Sequence, residues 1–302
     1  PGGCAIGNRP IDIHLFGLKK LGVKVAFENG FVNAVVDKIL IGNVIDLPFP
    51  SVGATENLIM ASCLAKGRTI INNAAKEPEI KDLAMCLNKM GAKITGAGKK
   101  TIEIKGVENL KKAEHSIIPD RIVAGSYIIL AIMLNKKFLI NNFNPSMINT
   151  PLKILNKMGA KLKISNNSVL VEPSKKIKGI NIETKPYPGF PSDLQAQIMA
   201  LMSIAKGNSK IREKIFENRF MHVSELNRMG ASIKIKNDTA FIEGNRRFKG
   251  AQVMASDLRA SMSLVLAALS GEGKTEINRV YHIDRGYEKI EETLKKCGPN
   301  IS

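Results

Sequence analysis

One eight-residue phrase recurs five times along the chain at an almost constant interval. The copies are LKKLGVKV at 18–25, LNKMGAKI at 87–94, LNKMGAKL at 155–162, LNRMGASI at 226–233 and LKKCGPNI at 294–301. Their glycines are separated by 69, 68, 71 and 68 residues. A regular period of this length is typical of proteins that repeat one supersecondary unit. The sequence therefore predicts units of about 70 residues.

Each unit is predicted to contain two helices and several strands. The phrase is typical of a helix that ends at a glycine in the left-handed capping conformation, with a strand after it, as at residues 24–27 and 31–35. Between phrases lies an apolar helix of about 14 residues. It should end near Gly67, Lys136, Gly207 and Gly273, and a strand such as residues 69–71 should follow.

The apolar helix should be buried on all sides. Residues 197–204, for example, are apolar almost all the way round a helix. We therefore expect an α/β fold (α+β repeats) with helices inside and sheets outside. The chain starts within a unit, so we also expect further residues before Pro1 in the parent protein.

The composition does not favour a nucleic-acid-binding or membrane protein. The net charge is +18, but 34 lysines and 11 arginines are scattered through every segment, which indicates a solvated basic surface. Aromatic residues make up 5% and tryptophan is absent, so few side chains can stack on bases. No run of about 18 apolar residues occurs. Anionic small-molecule substrates are compatible with this surface.

The cysteines are few and widely separated. They are Cys4, Cys63, Cys86 and Cys297, with no C-x-x-C pair. This spacing favours neither a metal site nor a disulfide framework. We expect reduced thiols and a cytoplasmic location.

Longer motifs carry a resemblance to a known family. In chain order they are PGGCAIGNRPID, FPSVGATEN, NAAKEPEI, PDRI, GFPSDLQAQ, FENRFMHVSELNRMGA, DLRAS and YHIDRGYE. They resemble the UDP-N-acetylglucosamine 1-carboxyvinyltransferases, a family of enolpyruvyl transferases, over nearly the whole chain. The resemblance implies an inside-out α/β barrel with two domains of three repeated units. It also implies that residues 1–118 are a partial first domain, 119–302 a nearly complete second domain, and the family's amino-terminal quarter is absent.

The resemblance implies a reaction as well. The family transfers the enolpyruvyl group of phosphoenolpyruvate to the 3′-hydroxyl of UDP-N-acetylglucosamine and releases phosphate, the first committed step of peptidoglycan synthesis. The implied partners are these two small molecules. No metal, organic cofactor, nucleic acid, membrane or obligate protein partner is implied.

The first motif contains the implied lid. Cys4 corresponds to the family's general acid on a mobile loop, the thiol that fosfomycin alkylates, and glycines before it supply hinge freedom. Arg9 corresponds to a phosphoenolpyruvate ligand, since guanidinium suits two-point contacts with phosphate and carboxylate. The resemblance also assigns the uridine nucleotide pocket to Arg9, Pro10, Ile11, Asp12 and Ile13.

Ser51, Val52 and Gly53 precede a predicted buried helix. The unpaired N–H groups of a helix start favour a diphosphate, although a plain N-cap explains the serine equally well. The resemblance assigns the nucleotide to this position. Many members of the family carry a lysine where this chain has Phe49.

Asp193 and Asp257 occupy matching places in Ser-Asp-Leu segments, and Asp120 is a third candidate of this kind. Capping of a helix start explains all three acids. The resemblance assigns Asp193 to the sugar 3′-hydroxyl as general base and Asp257 to the same cleft.

Five of the arginines fall at predicted junctions between elements, which suggests directional anion binding in a chain dominated by lysine. They are Arg9, Arg121, Arg219, Arg259 and Arg285. The resemblance makes Arg285 a catalytic phosphoenolpyruvate contact, supported by Arg219 and Arg259. It also implies that Glu77 is a cleft residue and that Ile215 contacts the nucleotide through its backbone. We expect structural roles for His222 and His282.

Three alternatives remain open from the sequence. One is an enolpyruvyl transferase that acts on shikimate 3-phosphate. Another is a protein that binds or processes RNA, suggested by the charge. The third is a fragment without turnover, because substrate contacts from the family's amino-terminal part have no counterpart here.

Overall fold

The computed structural model describes residues 11–296, whose backbone forms two compact units divided in the chain after Ile118. None of the helices within these residues is both long and apolar enough to cross a lipid bilayer.

The described part of the first unit contains three helices and six strands. In chain order they are α1 (Asp12–Lys20), β1 (Lys24–Glu28), β2 (Phe31–Val35), β3 (Val44–Asp46), α2 (Val52–Ser62), β4 (Arg68–Asn72), α3 (Pro78–Lys89), β5 (Lys93–Thr95) and β6 (Thr101–Lys105).

A four-stranded sheet dominates the first unit, in the order β3-β4-β6-β5. The pair β3–β4 is parallel and is connected by α2, since parallel neighbours need a crossover. The other two pairs are antiparallel. β1 and β2 form a separate hairpin whose turn, Asn29-Gly30, has positive φ at both residues, as a two-residue type I′ turn requires. The core is formed by α2, α3 and the inner face of the sheet: Leu58, Ile59, Ile71, Ile80, Ile102 and Ile104 are fully buried.

The described part of the second unit begins at Pro119. Its elements are α4 (Arg121–Met133), β7 (Phe138–Asn141), α5 (Asn149–Met158), β8 (Lys161–Ile164), β9 (Ser168–Glu172), β10 (Asn181–Glu183), α6 (Gln195–Ile204), β11 (Ser209–Arg212), α7 (Val223–Arg228), β12 (Ser232–Lys236), β13 (Thr239–Glu243), β14 (Gln252–Met254), α8 (Leu258–Ser270), β15 (Glu276–Asn278), α9 (Tyr281–Asp284) and α10 (Ile290–Lys295). Short 3-10 helices at Pro145–Ile148 and Ser192–Leu194 precede α5 and α6.

The second unit repeats the strand arrangement of the first. Its four-stranded sheet has the order β10-β11-β13-β12, with one parallel pair followed by two antiparallel pairs. This matches β3-β4-β6-β5 strand for strand. A three-stranded antiparallel sheet, β7-β9-β8, and a parallel pair, β14–β15, complete the set. The repeated unit predicted from the sequence is confirmed.

Three helices form the interior of the second unit. In α6, nine of the ten residues are buried, and α4 and α8 are buried along most of their length. α6 packs against both α4 and α8. Strands such as β11 and β13 bury one face and expose the other. Helices inside and sheets outside are therefore confirmed, although strand pairing closes none of the described sheets into a barrel.

The repeated phrase takes the predicted conformation. Gly22, Gly91, Gly159 and Gly230 have φ between +94° and +103°, a region that favours glycine. Each follows a helix and precedes a strand. The fifth glycine, Gly298, lies outside the described residues.

The apolar helices end earlier than predicted. α2, α4, α6 and α8 stop at Ser62, Met133, Ile204 and Ser270, a few residues before the predicted positions. For α2, α6 and α8 the reason is tertiary pairing, because Lys66, Lys206 and Glu272 form β-bridges with Ile41, Lys178 and Lys249.

Candidate functional site

Aspartates precede all three interior helices of the second unit, and two of them are N-caps. Asp120 accepts hydrogen bonds from the amides of Ile122 and Val123 at 2.7 and 3.1 Å, at the start of α4. Asp257 accepts from the amides of Arg259 and Ala260 at 3.0 and 3.1 Å, at the start of α8. The capping interpretation is correct for both.

Asp193 is different. It lies in the 3-10 turn Ser192–Leu194, and neither this turn nor α6 uses its side chain as a cap. The capping interpretation is therefore wrong for Asp193. The N-cap position of this turn is occupied by Pro191, so Asp193 lies inside the turn and not at its N-cap.

Two arginines join these helix starts. Arg219 donates from Nη2 to Asp193 Oδ1 at 2.7 Å, and its Nη1 lies 3.9 Å from Asp257 Oδ1. Arg259, on α8, places Nε 3.7 Å from the same oxygen of Asp193. Four residues predicted from the sequence therefore form one contiguous cluster, which we call the Asp193 cluster: Asp193, Arg219, Asp257 and Arg259.

The Asp193 cluster is buried at one end and open at the other. The side chains of Arg219 and Asp257 are 5% and 6% exposed, whereas that of Asp193 is 45% exposed. Buried charges are tolerated when they are paired, and here each has an opposite charge nearby. Both arginine contacts of Asp193 use Oδ1, so Oδ2 can accept a further hydrogen bond.

Arg259 is also held by a polar network between the helices. Its guanidinium interacts electrostatically with Tyr287, whose hydroxyl lies 2.8 Å from Ser126 Oγ. Gln197 donates to the same Ser126 oxygen at 3.0 Å. The network thus ties α4, α6 and α8 together behind the Asp193 cluster.

This network affects ionisation. Burial would lower the pKa of Arg259, but the carboxylates of Asp193 and Asp120 and the Tyr287 hydroxyl leave the pKa raised overall. Burial raises the pKa of Tyr287, although the neighbouring guanidinium opposes the shift. Arg259 therefore stays cationic and Tyr287 stays a neutral donor at neutral pH.

His222 lies beside the buried end of the Asp193 cluster. Its side chain is buried and has a pKa lowered to about 4, mainly by burial, with Asp257 raising and Arg219 lowering it. The imidazole is therefore neutral at pH 7.

The second unit contains three further predicted residues. Arg121 is the first residue of α4 and is buried, with its guanidinium 5.7 Å from the Tyr187 ring centroid. Ile215 donates its amide N–H to Glu213 at 2.9 Å, so a backbone contact to a ligand would use its carbonyl. Arg285 is exposed and follows α9, two residues before Tyr287.

The first unit places its predicted residues at two helix starts. Ile11 precedes α1, whose first residues are Asp12 and Ile13. Ser51 is the N-cap of α2 and accepts a 3.3 Å hydrogen bond from Ala54.

The two helices meet near these starts. The His14 ring lies 2.7 Å from the Asn57 amide and faces Gly53, where an added Cβ would meet it at 3.3 Å. Val52 and Gly53 therefore begin a helix beside an imidazole whose pKa is lowered by burial.

Glu77 is the N-cap residue of α3 and is buried. Its carboxylate accepts from the Lys76 amide at 3.0 Å. The pKa of Glu56 on α2 is raised by burial and by the carboxylates of Glu79 and Glu77. This part of the first unit is therefore acidic.

Cys4, Arg9 and Pro10 lie outside the described residues. Within residues 11–296, no group of three or more His, Cys, Asp and Glu side chains is arranged to hold a metal ion. Cys63 and Cys86 are free thiols, and burial raises the pKa of Cys63 to about 11.

The sequence analysis did not single out three residues that contact predicted site residues or their chain neighbours: His14, Glu213 and Tyr287. His14 directly follows a predicted pocket residue and Tyr287 lies within a family motif. Glu213 carries no signal in the sequence, because its role depends on burial.

Comparison with known proteins identifies the class. The sequence profile of the EPSP synthase (3-phosphoshikimate 1-carboxyvinyltransferase) family matches residues 1–294. The chain belongs to this family of enolpyruvyl transferases. Among solved structures, the enolpyruvyl transferase NikO from Streptomyces tendae is similar over 98% of this chain and 73% of its own, with a TM-score of 0.89 and 25% identity. EPSP synthase from Acinetobacter baumannii shares the fold, with a TM-score of 0.74 at 20% identity over 100% of this chain and 74% of its own.

Relatives of higher identity share one name, UDP-N-acetylglucosamine 1-carboxyvinyltransferase. The protein from Pelagibacter ubique is 56% identical over 301 residues, and that from Granulibacter bethesdensis is 51% identical. The corresponding protein 1 of Caldanaerobacter subterraneus is 53% identical. Each match covers 100% of this chain and 72% of the relative. The resemblance inferred from the motifs is confirmed.

Proposed function

We propose that this protein transfers the enolpyruvyl group of phosphoenolpyruvate to the 3′-hydroxyl of UDP-N-acetylglucosamine with release of phosphate. Support comes from relatives of that name at 50–56% identity over the whole chain. The proposed partners are these two small molecules, and the proposed location is the cytoplasm.

The observation that carries the proposal is the Asp193 cluster. A carboxylate that is half-exposed and free of capping lies next to two buried or partly buried guanidinium groups. A base must lie within hydrogen-bond reach of the proton it takes, and fixed cations stabilise charge that develops on phosphate and carboxylate oxygens. The cluster combines both kinds of group at the starts of α6 and α8.

The reaction divides into addition and elimination. In the addition, the sugar 3′-oxygen bonds to C2 of the enol, Asp193 accepts the hydroxyl proton, and an acid protonates C3. In the elimination, the C2–O bond to phosphate breaks and a proton leaves C3, which restores the double bond. No electrons are exchanged with a cofactor, so proton transfer and positioning account for the chemistry.

The remaining roles follow the family resemblance. Cys4 is the proposed acid toward C3, and Arg9 and Arg285 are proposed to hold phosphoenolpyruvate. The nucleotide is proposed to contact Pro10, Ile11, Asp12 and Ile13, the α2 start at Ser51, Val52 and Gly53, and the backbone of Ile215. Arg121 and Glu77 are proposed to be further substrate-binding residues.

Phosphate release tests the proposal. We expect release only when phosphoenolpyruvate and UDP-N-acetylglucosamine are both present. Calorimetric binding of UDP-N-acetylglucosamine is measured in parallel, because binding reports the substrate class even where turnover is slow. Release or binding with shikimate 3-phosphate, and none with UDP-N-acetylglucosamine, would overturn the proposal.

A further inference from the structure

A buried carboxylate adjoins the Asp193 cluster without belonging to it. Glu213 directly follows β11 and is 5% exposed. Burying a carboxylate is costly unless hydrogen bonds replace its water. From the described part of the chain, four hydrogen bonds reach the Glu213 carboxylate, and their donors are neutral hydroxyl and amide groups.

The donors come from the two segments that carry the site. Oε2 accepts from the Ser192 hydroxyl at 3.0 Å, and Ser192 directly precedes Asp193. Oε1 accepts from the amides of Ile215 and Phe216 at 2.9 and 3.2 Å, in the loop that leads to Arg219. Oε1 also accepts from Thr184 at 2.9 Å.

These contacts connect Glu213 to both members of the Arg219–Asp193 pair. The Phe216 ring lies 5.4 Å from the Arg219 guanidinium, and Arg219 donates to Asp193 at 2.7 Å. Asp193 is bonded in the chain to Ser192, whose hydroxyl returns to Glu213. The carboxylate therefore fixes both ends of the Arg219–Asp193 pair.

The fold itself does not require an acid here. In the first unit the residue with the same backbone hydrogen bond is Ala74, which lies after Asn73 at the end of β4 and donates its amide to Lys100 O at 3.0 Å. Glu213 donates its amide in the same way to Asp238 O at 2.8 Å. Ala74 is 1% exposed, so this position of the repeat accepts an apolar side chain.

We propose that Glu213 is a positioning residue, which holds the Ser192–Asp193 turn and the 215–219 loop so that Asp193 and Arg219 meet in the geometry that binds the sugar nucleotide. The ligand named here rests on the proposed function. The positioning itself rests on the contacts alone.

Crystal structures and calorimetry of three variants test this. Glu213→Ala removes both acceptor oxygens and with them the four hydrogen bonds. We expect the Arg219–Asp193 hydrogen bond to be lost and the Kd for UDP-N-acetylglucosamine to rise about tenfold or more. Glu213→Gln keeps an acceptor oxygen, and should restore the hydrogen bond and keep the Kd within about threefold. Glu243→Ala removes an exposed glutamate of the same sheet and should change neither.

Glu213→Ala with the Arg219–Asp193 hydrogen bond intact and an unchanged Kd would overturn the proposal. If the wild type does not bind UDP-N-acetylglucosamine, the proposed function fails, while the variant structures still decide the role of Glu213. Should Glu213→Ala not fold, Ser192→Ala removes only the arm to the Asp193 turn. In that variant, an unchanged position of Asp193 and an unchanged Kd would contradict the proposal.

Discussion

At the scale of single residues, Asp193 differs from the other two helix-start aspartates in the partners of its carboxylate. The carboxylates of Asp120 and Asp257 accept hydrogen bonds from backbone amides at the starts of α4 and α8. Within residues 11–296, the carboxylate of Asp193 instead contacts the guanidinium groups of Arg219 and Arg259 through Oδ1. Asp193 is therefore the one of these three aspartates whose carboxylate is not held by the helix that it precedes, which suits the proposed role of proton acceptor.

Replacement of Asp193 by asparagine should separate chemistry from binding. The amide oxygen of Asp193→Asn can still accept from Arg219, but it does not take up a proton. We expect phosphate release to fall about 100-fold or more, with the Kd for UDP-N-acetylglucosamine changed less than about fivefold. The control is Asp238→Asn, since Asp238 is an exposed partner of Arg212. A release rate within threefold of wild type would remove Asp193 from the role of base.

His222 should make the second unit less stable in mild acid. Its folded pKa of about 4 lies below the ordinary value of 6.5, so the unfolded chain binds a proton that the folded chain excludes. Stability contributed by neutral His222 is complete above pH 6.5 and falls as the pH drops toward 4. In His222→Gln this loss, on the order of 2 kcal/mol, should disappear. Urea unfolding of both proteins across this range measures it, and parallel curves would refute the assignment.

The sequence predicted the residues of the Asp193 cluster, but it did not predict the residues that surround the cluster and hold it in place. All four belong to quoted motifs, and the structure brings them together. Tyr287 and Ser126, by contrast, meet across 161 positions of the chain, and no local pattern indicates such a contact. Glu213 is equally hidden, because its burial depends on which segments pack above it.

At the scale of elements, the contact between α1 and α2 depends on one glycine. A Cβ added to Gly17 would lie 2.4 Å from Cδ1 and 2.6 Å from Cδ2 of Leu58. Leu58 is fully buried, so it has little freedom to move aside. The helix pair thus requires a residue without a side chain at position 17.

Gly17→Ala should therefore destabilise the first unit although alanine favours helices. We expect a loss of about 1–3 kcal/mol in the free energy of unfolding, measured by urea denaturation. Leu58→Val removes both clashing atoms, so the double variant should lose less than the sum of the single variants. Additive losses, or a more stable Gly17→Ala, would show that the close contact does not control packing.

Element positions were predictable where the signal is local. The left-handed glycines and the hairpin strands β1 and β2 lie where the sequence indicated. The apolar helices end earlier than the sequence indicated, because Lys66 and Lys206 pair with Ile41 and Lys178, which are distant in sequence. The periodicity of apolar residues along a helix carries no information about pairing with a distant segment.

At the scale of the whole molecule, salt should distinguish binding to the general surface charge of +18 from binding at the proposed substrate site. Scattered surface lysines bind polyanions weakly and are screened, whereas a buried guanidinium pair is screened much less. Between about 0.05 and 0.3 M salt, we expect binding of a short RNA to weaken about 100-fold or more. Binding of UDP-N-acetylglucosamine should change less than about threefold. Fluorescence anisotropy and calorimetry measure the two, and salt-resistant RNA binding would favour the RNA alternative.

The short 3-10 helix before α6 has a further consequence. The repeats would otherwise give three equivalent acids at three equivalent helix beginnings, each engaged by its own backbone. The three-residue 3-10 helix before α6 makes this helix start different from the starts of α4 and α8. A pattern duplicated for architecture thereby acquires a single specialised member, without any change in the kind of amino acid used.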